Sequence, residues 1–266
     1  MNQEEPRAGM EQPTPDAAAP TQQARAAVGP GVERTSVGRW FWEWTKSILV
    51  AFLLFIFVRT FIVEAFQIPT ASMENTLLVG DFLLVNKMVY GAEIPGTNLS
   101  LPSFDEPDRG DVVVFEPPPQ AGQPPRTNYV KRIVGVPGDT LGMVDGNLLR
   151  NGEPVPEPYV KEASPARDIR SSQFRWQFDF LVRDGLRGPY RPTRDNWGPL
   201  IVPADQFFVM GDNRANSEDS RYWGYVPGGA IKGRPLIIYY SYDRKNLAPL
   251  RWLTEIRWDR ILNSIR

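Results

Sequence analysis

Phe66-Gln67-Ile68-Pro69-Thr70-Ala71-Ser72-Met73-Glu74-Asn75-Thr76-Leu77 follows directly on the one membrane-like segment of this sequence. It sets a serine among small and hydroxyl residues, then a methionine and a leucine. So polar a stretch, just outside an apolar span, is poor core material. The rest of the chain reads most simply as a means of holding Ser72 near a membrane surface and giving it a base.

Working outward toward the N-terminus, Ile48 to Val58 is uncharged and apolar, and Trp40-Phe41-Trp42-Glu43-Trp44 before it is the kind of aromatic cluster found at a lipid headgroup boundary. Arg59 and Glu64 interrupt the continuation to Phe66. A span needs about 20 residues. The aromatic lead-in, with Arg59 snorkelling, supplies it over about 41 to 63, within an anchor over 37–65. The competing reading is a buried core helix. A cleaved signal peptide fits less well, because the preceding tail is long and no clean small-x-small site follows. Residues 1–36, rich in Ala, Pro, Gln, Glu and Gly without apolar period, read as a disordered tail. Arg25, Arg34, Arg39 and Lys46 precede the span, and after Arg59 the next basic residue is Lys87. The positive-inside rule then puts the tail in the cytoplasm and the remainder outside it.

Downstream the chain is mainly β. Asp81 to Val85 and Asp111 to Phe115 are short apolar strands, each preceded by a Gly-Asp turn. Asn128 to Val136, Ile201-Val202, Phe207 to Met210 and Pro235 to Tyr240 are further strands. Asp145-Gly146 and Asn151-Gly152 are tight-hairpin dipeptides. Residues 160–198, rich in Arg, Asp, Gln and Trp, read as a smaller inserted lobe or a long excursion from the β core, within a catalytic domain over 66–250. Trp252, Leu253, Ile256, Ile261, Leu262 and Ile265, set among basic residues, predict an amphipathic C-terminal helix over 251–266, docked on its own domain or on a membrane.

Totals exclude several chemistries. The chain has 266 residues with 30 basic against 31 acidic, so no bulk charge draws it to nucleic acid. It has 26 prolines and 22 glycines, a load for turns and strands. It has no cysteine, hence no disulfide or thiol nucleophile, and no histidine, hence no Ser-His-Asp triad and no histidine metal site. A serine enzyme built from this chain needs another base. Lysine serves when burial lowers its pKa.

Lys131 sits in Asn128-Tyr129-Val130-Lys131-Arg132-Ile133-Val134-Gly135-Val136. Strand alternation separates it from Arg132 and puts it on the face of Tyr129 and Ile133, where a lysine can be largely desolvated. A surface lysine on an edge strand is the alternative. No Ser-x-x-Lys motif occurs, so a Ser/Lys pair must come from distant segments. Gly211-Asp212-Asn213-Arg214-Ala215-Asn216-Ser217-Glu218-Asp219-Ser220-Arg221-Tyr222-Trp223-Gly224 is a dense polar loop after an apolar strand, with acids and arginines spaced for mutual pairing. Its aromatic pair argues against a solvated turn.

These blocks, in this order, resemble type I signal peptidase, the bacterial leader peptidase. The resemblance rests on Ile68 to Met73 with Thr76-Leu77 and Gly80-Asp81, on Arg109 to Phe115, on Tyr129 to Gly135 with Pro137-Gly138-Asp139, and on Gly211 to Gly224. It covers about residues 40 to 245. It implies a membrane-bound serine endopeptidase that removes signal peptides from exported preproteins after Ala-x-Ala-like sites. By position it makes Ser72 the nucleophile and Lys131 the general base. It makes Thr70 an oxyanion-hole hydroxyl and Ser217 the hydroxyl that orients the lysine. It pairs Arg132 with Asp212 and Arg221 with Asp219, and lines small-residue pockets with Phe66, Ile68, Met73, Leu77, Tyr129 and Val130. It implies no metal and no cofactor. Its partners are preproteins and a lipid bilayer, near the secretion translocon, with a single pass through the bacterial cytoplasmic membrane.

Glu74-Asn75 depart from the family, which has a basic or variable residue and then proline there. Two rival readings remain at this stage. One is a self-cleaving Ser/Lys protease of the repressor type, against which the membrane span speaks. The other is an inactive tethered module that binds signal peptides without cutting them.

Overall fold

The computed structural model describes residues 37–91, 102–124, 127–161, 168–183, 188–246 and 248–265. The tail over 1–36 lies outside them, as do 162–167 and 184–187 of the expected lobe.

Helix α1, Val37–Phe57, continues through a π-helical stretch, Val58–Ile62. Gly38–Ile62 is long and apolar enough to cross a membrane, and none of its most apolar window is buried. A buried core helix is thereby excluded. An apolar surface of this extent is one that hydrocarbon accepts and water does not.

The strands form in chain order. They are β1 (Val63–Gln67), β2 (Asp81–Asn86), β3 (Val112–Phe115), β4 (Tyr129–Gly135), β5 (Thr140–Val144), β6 (Asn147–Arg150) and β7 (Glu153–Pro154). After them come β8 (Trp197–Ile201), β9 (Gln206–Met210), the helical turn α2 (Ser220–Trp223), β10 (Val226–Pro227), β11 (Ile231–Ser241) and the turn α3 (Arg251–Thr254). One antiparallel sheet runs β1-β2-β11-β3-β4-β9-β10, and a smaller one runs β7-β6-β5-β8. Strand β11 serves two partners: Ile231 and Gly233 pair with β3, then Arg234 to Ser241 pair with β2. The change of partner falls at Gly233, where a Cβ would strike the Asn86 carbonyl, so only glycine lets the strand cross.

All four residues of β3 are buried, because both faces of the large sheet are covered. Val112 and Val114 join Ile68, Met73, Leu77, Leu83, Val85, Ile238 and Ile265 on one side. Val113 and Phe115 join Ile133, Phe207, Val209, Trp223, Val226 and Ile231 on the other. A third core, with Leu141, Met143, Trp197, Leu200 and Phe208, holds the small sheet. The hairpin dipeptides behave as read: Asp145 and Gly146 have φ of 49° and 80°, and Asn151 and Gly152 have 53° and 86°. Positive φ at both positions is the requirement of the tight turn that matches strand twist.

Two expectations shift. The described part of the excursion is packed on the core and not set apart. A 3₁₀ helix over Ser172–Asp179 buries Phe174 and Gln177, Leu181 bridges to Leu200, and Trp197 already belongs to β8. The C-terminal stretch is not an amphipathic helix. It makes the single turn α3, a 3₁₀ turn at Trp258–Arg260, and bridges from Ile256 to Tyr242 and from Ser264 to Ile237. The reason is where its backbone hydrogen bonds go: Ile238 N–H donates to Asn263 O at 3.1 Å, Leu262 N–H to Ile238 O at 2.7 Å and Ile265 N–H to Leu236 O at 3.2 Å, so the stretch lies along β11, where it also covers the wholly buried Asp81. Arg260 grips both its oxygens at 3.1 and 2.6 Å, and Arg257 reaches the Val79 carbonyl at 3.1 Å.

Candidate active site

Ser72 lies on consecutive turns between β1 and β2. Glu74 N–H donates to Ala71 O at 3.1 Å and Leu77 N–H to Met73 O at 2.7 Å. Met73 and Leu77, 1% and 0% exposed, pin the turns to the core. Asn75 has φ 104°, a value closed to proline, so the expected departure from proline at this position goes with a backbone path that proline cannot take. Its amide is fixed instead by a 3.0 Å hydrogen bond to Tyr159 O.

On β4, alternation sends neighbouring side chains to different targets. Lys131 Nζ donates to Ser72 Oγ at 2.6 Å. Arg132 forks onto Asp212 at 2.9 and 2.8 Å, donates to Gly110 O at 2.8 Å, and lies 3.9 Å over the Tyr159 ring. Lys131 is 4% exposed, and burial pulls its ammonium down from 10.5 to about 8; the buried carboxylates of Asp219 and Asp212 pull the other way. A neutral amine at this distance can take the serine proton, and near neutrality a useful fraction of this lysine is neutral.

The polar loop after β9 closes around this pair. Asp219 and Arg221, both wholly buried, meet through two hydrogen bonds of 2.8 and 2.9 Å. Burial alone would raise the Asp219 carboxyl; the Arg221 guanidinium and the Gly211 N–H outweigh it and hold it below the usual carboxylate range. Ser217 is buried, its Oγ sealed from solvent against Gly211.

Ser72, Lys131, Thr70 and Ser217 line one cleft of about 640 Å³, together with Phe66, Ile68, Met73, Tyr129 and Val130. Thr70 is exposed at its wall. Leu77, expected in that wall, is not there: it is a core residue that anchors the serine turns from below. Sequence reading gave no role to several residues that hold the site. Thr76 Oγ1 donates to Asp212 at 2.5 Å. Asn213 N–H donates to Ser72 O at 3.0 Å, and its side-chain amide to Ala71 O at 3.1 Å. Glu157 accepts from Arg214 at 2.7 and 2.6 Å, and Lys161 donates to Glu74 at 2.9 Å. The Gly-Asp-Asn-Arg run pointed toward Asn213. Nothing local marked Glu157 or Tyr159: Tyr159 Oη donates to Glu157 at 2.9 Å, and the groups the two brace, on Arg214, Asn75 and Arg132, lie far along the chain.

The model of the family described as signal peptidase, peptidase S26, matches residues 41–240. A signal peptidase I of Pseudomonas aeruginosa is 37% identical over 222 residues, 78% of this chain and 75% of that one. Another, of Leptolyngbya laminosa, is 35% identical over 205 residues, 76% and 81% of the two chains. That of Buchnera aphidicola from Acyrthosiphon pisum is 31% identical over 270 residues, 86% and 84% of the two. The protein is a serine endopeptidase, a hydrolase. It belongs to the signal peptidase family, peptidase S26.

Proposed function

We propose that the chain removes signal peptides from exported preproteins by a Ser72/Lys131 dyad. The observation that carries this is the 2.6 Å contact of a buried, pKa-lowered lysine with a serine that opens on a cleft. Neutral Lys131 takes the Ser72 hydroxyl proton as Oγ attacks the scissile carbonyl. The Ser72 N–H and the Thr70 hydroxyl receive the oxyanion, a charge that develops only in the transition state. The C–N bond breaks, the lysine proton passes to the leaving amine of the mature protein, and the signal peptide stays as an ester on Ser72. Lys131 then deprotonates a water, which frees the signal peptide as its carboxylate. Ser217, whose hydroxyl is buried at the cleft and makes no hydrogen bond to Lys131 among the described residues, turns to orient the amine during the reaction; the Arg132–Asp212 and Arg221–Asp219 pairs hold the frame.

The shallow apolar lining from Phe66, Ile68, Met73, Tyr129 and Val130 favours small side chains at the residue before the cut and two further back, as in Ala-x-Ala sites. The Gly38–Ile62 span tethers the enzyme to a bilayer that also holds its substrate, which raises their effective concentration. The basic residues before the span favour a cytoplasmic N-terminus in the bacterial inner membrane, with the peptidase domain outside near the secretion translocon. The test is cleavage of a preprotein bearing one Ala-x-Ala site by the detergent-solubilised chain beside Lys131→Ala. A single cut after the second alanine, lost in the variant, supports the reading. Equal cutting by the variant, or none by a folded wild type, removes it.

A further inference from the structure

Two charged residues stand in the described lining of the active cleft, Lys131 and Glu218. Lys131 is 4% exposed and engaged with Ser72. Glu218 is the charge that a bound peptide meets: it is exposed, and its carboxylate makes no ion pair or hydrogen bond among the described residues.

The local backbone explains why Glu218 faces outward. Ser217 and Asp219 are both extended, with φ of −141° and −147°. Asp219 is locked inward by Arg221, and Ser217 is sealed against Gly211. With both neighbours fixed, the side chain between them is left to the cleft. Its field reaches β4 across the site. Burial first, and then the Glu218 charge, push the Tyr129 hydroxyl up.

We propose that Glu218 is a specificity residue: it reads the charge of a substrate side chain beside the scissile bond, favouring lysine or arginine there and disfavouring aspartate or glutamate. The inference rests on the proposed peptidase reading and adds to it. An extended substrate alternates its side chains. Those of the residue before the cut and two further back enter the small apolar wall. The side chains at the residue between them and just after the cut stay free to meet Glu218.

The experiment uses the full chain in detergent and peptides with one Ala-x-Ala site, carrying Lys, Gln or Glu between the two alanines or at the position just after the cut. Exposed ion pairs are weak, so at one of these positions the Lys peptide is expected to exceed the Glu peptide in kcat/KM by about five- to tenfold at low salt. The ratio should shrink toward unity at high salt and collapse in Glu218→Gln, with the Gln peptide as the reference in both proteins. The same order is expected in the Kd of these peptides for Ser72→Ala, read by fluorescence anisotropy, which needs no turnover. Ratios near unity at every position in the wild type overturn the assignment, as does a ratio that survives in Glu218→Gln. A Glu218→Gln variant that changes kcat/KM by the same factor for all three peptides, leaving their ratios as in the wild type, also overturns it, since Glu218 then acts on Lys131 alone. If the Gln peptide is not cut at all, the peptidase reading fails, and the binding order still decides the role of Glu218.

Discussion

Lys131 Nζ and Ser72 Oγ stand 2.6 Å apart, brought together from a strand and a turn 59 residues apart in the chain. Burial holds the amine near 8. As base, the lysine must be neutral, so kcat/KM should rise tenfold per pH unit below about 8 and level off above it. A pH series on one neutral Ala-x-Ala peptide measures this. Ser72→Ala and Lys131→Ala should each lose at least about a thousandfold in kcat/KM with unchanged circular dichroism. A flat profile between pH 6 and 9 contradicts the dyad.

The same lysine carries a stability cost. Its folded pKa, about 8, lies below the ordinary 10.5 of an unfolded chain. Between those values the unfolded state binds more protons, so stability rises with pH across that window and lacks this contribution below it. Lys131→Met removes the charge that neutral pH forces into the core. At pH 7 it should be more stable than the wild type, by up to about 3 kcal/mol less the lost Ser72 hydrogen bond. The gain should shrink toward pH 10.5. Urea midpoints at pH 7 and pH 10 decide the sign.

Gly211 fixes the spacing between Ser217 and the serine turn. A Cβ there would lie 2.5 Å from the Ser72 carbonyl and 2.6 Å from the Ser217 Cβ. One of those neighbours is backbone, so the serine turn itself has to move. A displacement of about 1 Å in reacting groups costs about a hundredfold. Gly211→Ala should therefore lower kcat by about that factor with little change in KM. Asn213→Ala, which removes the 3.1 Å bond to Ala71 O but leaves the backbone bond to Ser72 O, should cost less, about tenfold. Steady-state kinetics on the two variants separate these expectations.

Local sequence pattern carried the parts of this site that depend on local geometry. Alternation on β4 was enough to part Lys131 from Arg132, and Asp145-Gly146 with Asn151-Gly152 marked two hairpins because positive φ needs such residues. It misread positions decided by distant partners. The stretch from Trp252 to Ile265 has helical apolar spacing, but its backbone groups bond to Leu236, Ile238 and Ser241 of β11, which local pattern does not reveal. Leu77 is apolar and close to Ser72, which fits a pocket wall as well as a core; only the packing tells them apart. Glu157, Tyr159 and Lys161 brace the loops around the dyad from a segment whose composition announces nothing.

The Arg132–Asp212 pair offers a way to separate stability from positioning. Both residues are buried and joined by two hydrogen bonds, and Asp212 also accepts from Thr76 on the serine turn. Removing one partner leaves an uncompensated buried charge, which costs about 3–5 kcal/mol. Arg132→Met and Asp212→Leu should each unfold at correspondingly lower urea. The double variant leaves no orphaned charge and should recover most of that loss, a coupling that a double-mutant cycle reads directly. Its activity should not recover, because the Thr76 tether to the turn carrying Ser72 is gone and Tyr159 has lost the guanidinium stacked on it. A double variant restored in both stability and kcat/KM would reduce the pair to packing alone; one restored in stability only assigns it to holding the serine turn in register with Lys131.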